Sequence, residues 1–119
     1  MSLRLYAIVR NDLGMTPGKC CSQAGHAYLG AFIEASKQDP EAAAAYASDL
    51  PGTKVCLQAT TEQIHRARLE LQQAGIPHFV TIDSGCPNFF DGNPILTAIG
   101  FGPCSTRQLP KYLRKLQLL

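Results

Sequence analysis

No two cysteines in this chain stand in a C-x-x-C spacing, although five are present, Cys20, Cys21, Cys56, Cys86 and Cys104. That absence, together with the odd count, argues against a zinc site, a redox pair and a disulfide framework. No apolar run approaches the roughly 20 residues needed to span a bilayer, and no charged leader precedes a short apolar segment. The expected home is a reducing cytoplasm, with no membrane partner. No internal repeat is visible, and the one low-complexity stretch is Ala42 to Ala45. Carboxylate side chains are missing from Phe101 onward, where Arg107, Lys111, Arg114 and Lys115 are four cations. By contrast, Asn11 to Leu50 holds five carboxylates against Lys19 and Lys37. A net charge of +2 is far from that of a dedicated nucleic-acid coat. The positive end therefore reads either as a solvated helix face or as a local contact for an RNA backbone.

What is present is enough for one core: 119 residues with 45% hydrophobic content suit a single domain, 1–119. Tyr6-Ala7-Ile8-Val9 is a short apolar run closed by Asn11, Asp12 and Gly14, which predicts a buried strand. Thr16 is a good N-cap and Pro17 suits the first helical position, so a long helix is predicted from there towards Lys37. Asp39-Pro40 interrupts it, and Glu41 to Ser48 forms a second helical piece closed by Pro51-Gly52. Lys54 to Leu57 reads as the second strand, Thr60 with Gln63 as a capping box, and Gly75 as the end of the helix that follows. Phe79 to Ile82 reads as a third, buried strand, Asp83 to Pro94 as a loop, Ile95 to Ile99 as a fourth strand, and a final helix starts near Ser105. Strands alternating with helices imply an α/β sandwich on a sheet that is at least partly parallel.

At 100° per residue, Lys19, Gln23, His26 and Gly30 share one stripe of the first helix, while Ala24, Ala27, Tyr28, Ala31 and Ala35 lie on the side that packs. Lys19 falls in the first turn, where free N–H groups and the positive end of the helix dipole already favour an anion such as phosphate or a developing oxyanion. The same spacing also fits an ordinary surface lysine, and His26 and Gln23 fit structural roles equally well. Asp83 follows a strand and is expected at the sheet edge where the first helix begins, facing Lys19. A carboxylate there can orient or deprotonate water, or simply cap its own loop. Cys86 in that loop permits a Cys-His-Asp arrangement with His26 and Asp83, or a packed thiol.

Taken together, several of these segments resemble the type 2 peptidyl-tRNA hydrolase family, over nearly the whole chain. They are Gly14 to Lys19 followed by Gln23, His26-Ala27 and Leu29-Gly30; Gly52 to Leu57; Ala74 to Pro77; Ile82 to Gly85; Gly92; Ala98 to Gly100 with Gly102-Pro103; and Leu116 to Leu119. The resemblance implies a four-stranded mixed β-sheet flanked by helices, a possible homodimer, and hydrolysis of the ester joining a peptide to the terminal ribose of tRNA, with no metal or organic cofactor. Peptidyl-tRNA, or tRNA itself, is the implied partner. Carried over by position, Lys19 and Asp83 match the family's functional lysine and aspartate. Gln23, His26, Asn88 and Asn93 are candidates for holding the substrate, and Arg107, Lys111, Arg114 and Lys115 for touching the RNA backbone. The chain departs from the family where an arginine and a threonine are replaced by Cys86 and Pro87, and where Asn93 and Ile95 stand for two further threonines. Two readings follow besides hydrolysis of peptidyl-tRNA. One is a catalytically weak relative that binds tRNA or a protein; the other is a Cys86-dependent hydrolase of another ester.

Overall fold

In the computed structural model, which describes residues 2–85 and 90–119, the strands β1 (Arg4–Arg10), β2 (Lys54–Ala59), β3 (His78–Asp83) and β4 (Ile95–Cys104) form one sheet in the order β2-β1-β4-β3. β1 and β2 are parallel, and β4 runs antiparallel to both β1 and β3. β1, β2 and β3 therefore end at the same edge of the sheet. Helices α1 (Pro17–Gln38) and α2 (Pro40–Ala47) cover one face, and α3 (Thr61–Ala74) and α4 (Lys111–Arg114) cover the other. The mixed four-stranded sheet flanked by helices is the architecture the resemblance implied.

Alternation along β1 explains how one short strand serves both layers. Tyr6 and Ile8 pack towards α3 with Ile64, Leu71, Ile99 and Phe101, whereas Ala7 and Val9 pack towards α1 with Ala24, Ala27 and Ala98. The α1 layer is built from small residues, so helix and sheet approach closely. A Cβ at Gly100 of β4 would lie 1.9 Å from the Ala27 carbonyl oxygen, which is why glycine occupies a central strand there. Asp39 ends α1 and caps α2, accepting the Ala42 N–H at 3.3 Å, and α3 opens with the Thr60–Gln63 capping box. The C-terminal tail returns to β2: the Gln58 N–H donates to Gln117 O at 2.9 Å, and Leu118 bridges Leu57.

Three sequence expectations change. β4 does not stop at Ile99 but runs to Cys104, because Gly100 and Gly102 serve close packing and a bulge within the strand rather than ending it. The final helix near Ser105 is one 3₁₀ turn, Thr106–Gln108, followed by the short α4. Pro110 separates them: the residue before a proline is pushed out of the helical region, and Leu109 is extended at φ −76°, ψ 133°. β3 is an edge strand rather than a buried one, pairing only with β4 among the described residues. No helix among the described residues is long and apolar enough to cross a membrane.

Candidate active site

The start of α1 and the end of β3 meet at one point. Thr16 Oγ1 accepts the Lys19 N–H at 3.2 Å, which fixes the first turn and sets Lys19 one residue beyond the Pro17-Gly18 opening. Asp83, the last residue of β3, stands opposite. Lys19 Nζ donates to Asp83 Oδ2 at 2.8 Å, in an ion pair whose side chains are only 13% and 10% exposed. Asp83 Oδ1 accepts the Gly85 N–H at 2.8 Å, so the loop begins by turning back on the carboxylate. The Lys19 ammonium also lies 5.6 Å from the centre of the Phe90 ring, within cation–π range.

Gln23 lies one turn along α1 from Lys19 and is buried, whereas His26 on the same stripe is exposed. The physical reason is a bulge in β4. Thr81 pairs with Ala98 and Ile82 with Leu96, which leaves Thr97 as the extra residue and turns its side chain towards α1. The Thr97 hydroxyl donates to Gln23 Oε1, and Gln23 Nε2 donates to Asp83 Oδ2 at 3.4 Å. A chain of polar groups thus runs from the sheet interior to the carboxylate. Thr97 carries no signal in the sequence beyond being a hydroxyl inside an apolar run, and only the register gives it a partner.

The remaining candidates are placed less uniformly. His26 is exposed, one turn further along α1. Asn93 is exposed, yet its backbone packs on Gly85: a Cβ on Gly85, whose φ is +91°, would lie 2.5 Å from the Asn93 carbonyl oxygen. Glycine at 85 therefore lets the far end of the loop close to within two residues of Asp83. Asn88 and Cys86, with Pro87, lie outside the described residues. Lys115 shares a surface depression with Asn11, Gln58 and Gln63 at the edge where β1 and β2 end. Arg107 follows the other end of β4, about 30 Å of strand away from Ile95 at roughly 3.3 Å per residue. Lys111 and Arg114 are exposed on α4, between these extremes in the chain.

A second polar cluster buttresses the same edge. Arg10 donates to Asp12 Oδ1 at 2.9 Å and to Leu96 O at 3.1 Å, and Asp12 accepts the Thr61 N–H at 2.8 Å. Above all the Arg10 guanidinium, and then Thr61, hold the Asp12 carboxyl well below the usual carboxylate range, against a partial desolvation that pushes the other way. Burial pushes the Cys104 thiol up to about 11 and raises Cys56 as well, so neither carries thiolate character near neutral pH. Among the described residues no group of three or more His, Cys, Asp or Glu side chains is gathered as a metal site would need.

Chemically, the arrangement offers a fixed cation at a helix N-terminus beside a carboxylate at the carboxyl end of a strand. A carbonyl placed beside the pair would meet a stabiliser for its developing negative charge and an acceptor for the proton of attacking water. Fold and site together are those of a small α/β protein that holds a lysine–aspartate pair at one sheet edge. The sequence matches the family described as Peptidyl-tRNA hydrolase PTH2 over residues 3–119. The peptidyl-tRNA hydrolase of Methanocaldococcus jannaschii is 30% identical over 122 residues, covering 98% of this chain and 100% of the relative. That of Methanococcus maripaludis is 32% identical over 113 residues, covering 94% and 95%. The probable peptidyl-tRNA hydrolase 2 of Schizosaccharomyces pombe is 36% identical over 107 residues, covering 86% of this chain and 50% of the relative. The chain belongs to the peptidyl-tRNA hydrolase PTH2 family.

Proposed function

We propose that this protein hydrolyses the ester between a peptide, or an N-blocked amino acid, and the terminal ribose of tRNA, with Lys19 and Asp83 as its catalytic pair. Water adds to the ester carbonyl while Asp83 accepts its proton. The oxyanion forms against the Lys19 ammonium and the N-terminus of α1. Collapse of the intermediate expels the ribose oxygen, which takes the proton back from Asp83, and the new acid ionises to solvent, so the products are tRNA with a free terminal hydroxyl and a peptide carboxylate. Gln23 holds Asp83 in place and is itself held by Thr97. His26 follows Lys19 along α1 and Asn93 follows Asp83 at the far end of its loop, and both would contact the substrate, with Asn88 as a further candidate by its sequence position. Lys111, Arg114 and Lys115 would meet backbone phosphates, and Arg107 only an RNA long enough to reach the opposite end of the sheet.

The single observation that carries this reading is the 2.8 Å Lys19–Asp83 contact at the start of α1 in a chain of this family. It also weighs against the Cys86-dependent alternative, since Asp83 is engaged by Lys19 and Gln23 rather than by an imidazole. Incubation with N-acetyl-aminoacyl-tRNA tests it: free tRNA accumulates with the unaltered protein and not with Asp83→Asn. Binding of tRNA without turnover would leave a binding relative and refute hydrolysis.

A further inference from the structure

Beside the catalytic pair, a groove of about 460 Å³ runs between α1 and β3. Leu29, Ile33, Phe79 and Ile82 line it, and these are 62%, 46%, 38% and 54% exposed. It starts one residue from Asp83, at Ile82, and follows the helix away from Lys19 past His26. Thr81 also lines it. That residue is only 4% exposed, and its hydroxyl oxygen is buried without a hydrogen-bond partner. The two sheet edges differ as well: the C-terminal tail bridges β2, whereas β3 pairs only with β4 among the described residues.

We propose that this groove receives the peptide part of the substrate, an inference that rests on the peptidyl-tRNA hydrolase reading above. With the ester carbonyl at Lys19 and Asp83, the RNA and the peptide must leave in different directions. The groove begins at Ile82, the residue before Asp83, and is largely apolar, which suits an extended peptide whose side chains lie against Leu29, Ile33, Phe79 and Ile82. The reach is set by geometry. From Lys19 to Ile33 the helix rises about 21 Å at roughly 1.5 Å per residue, and an extended peptide covers that in about six residues at roughly 3.4 Å each.

The test is a series of substrates on one tRNA with one esterified residue, whose acyl chains are N-acetylated and carry one, three, six or nine residues, with leucine at alternate positions. For the unaltered protein, kcat/KM rises on the order of tenfold between one and six residues, mainly through KM, and is flat from six to nine. Leu29→Asp, at an exposed helix position, brings the six-to-one ratio close to unity. Leu69→Asp, on the exposed side of α3, leaves the ratio as in the unaltered protein. Turnover with no dependence on length, or an unchanged ratio in Leu29→Asp, overturns the inference while the hydrolase reading stands. If Leu29→Asp converts a sedimenting dimer to a monomer and keeps the ratio, the groove is a subunit interface and the inference falls. Absence of turnover on every substrate overturns the hydrolase reading and this inference with it.

Discussion

Replacing Thr97 by valine removes one hydroxyl of nearly the same shape, at a position with no exposed surface, and interrupts the chain that ends on Asp83. Gln23 Oε1 then remains buried without its donor, a loss worth about 1–3 kcal/mol of stability. The effect on rate is smaller and separate. The Gln23 bond to Asp83 is long, 3.4 Å, so its contribution lies below the usual range for a hydrogen bond to a charged group, about 1 kcal/mol, or roughly fivefold in kcat. Gln23→Leu removes both bonds and leaves no unsatisfied amide. Because Thr97 acts on Asp83 only through Gln23, the pair must be non-additive: Thr97→Val in a Gln23→Leu background changes kcat by less than about twofold, with a coupling energy on the order of 1 kcal/mol. The assay is steady-state release of tRNA from N-acetyl-aminoacyl-tRNA, alongside urea denaturation of all four proteins. Additive effects on kcat, or a Thr97→Val variant of unchanged stability, would refute the relay.

Other outcomes follow from the geometry. Gly100→Ala sets a methyl group 1.9 Å from the Ala27 carbonyl oxygen and forces α1 off the sheet, costing about 3 kcal/mol or more, which thermal unfolding reads as a loss of roughly 10 °C or as failure to fold. Asp12→Asn costs about 1 kcal/mol near pH 7, the figure being reduced for screening because the Asp12 side chain is 33% exposed. Since folding lowers the Asp12 pKa, its contribution is full above the ordinary carboxylate range and is lost as acid titrates the folded group. The difference between the two proteins in urea midpoint therefore shrinks below about pH 4, and an equal difference at pH 3 and pH 7 would contradict the assignment. Thr16→Ala lowers stability by about 1 kcal/mol and loosens the turn that carries Lys19, so the rate falls along with the unfolding temperature.

The parts of the site legible in the sequence are those written locally. Thr16-Pro17 announces a helix start, and a lysine three residues after an N-cap necessarily lies in the first turn. Asp83 was readable as a group at the carboxyl edge because a strand leads directly into it. What depends on register was not readable. Gln23 sits on the polar stripe of α1 by angle alone, and its burial comes from the β4 bulge that turns Thr97 under it. The Arg10–Asp12–Thr61 cluster joins groups almost 50 positions apart, and nothing in either segment names the other. The exposure of β3 was missed because an apolar run is the same in the middle of a sheet and at its edge; the tail that covers β2 and the strand order decide it. The continuation of β4 past Ile99 was not readable because the role of Gly100 and Gly102, close approach of α1 and a bulge, belongs to packing rather than to local preference.

The central claim is that Lys19 and Asp83 act together on one ester. Single-turnover hydrolysis of N-acetyl-aminoacyl-tRNA at saturating protein, for the unaltered chain, Lys19→Met, Asp83→Asn and the double variant, addresses it most directly. Each single substitution is expected to slow the step on the order of 10²-fold or more, and the double variant to be no slower than about the worse of the two, because groups that serve one transition state do not lose independently. Hydrolysis by Asp83→Asn at the unaltered rate, or losses that multiply in the double variant, would contradict the account.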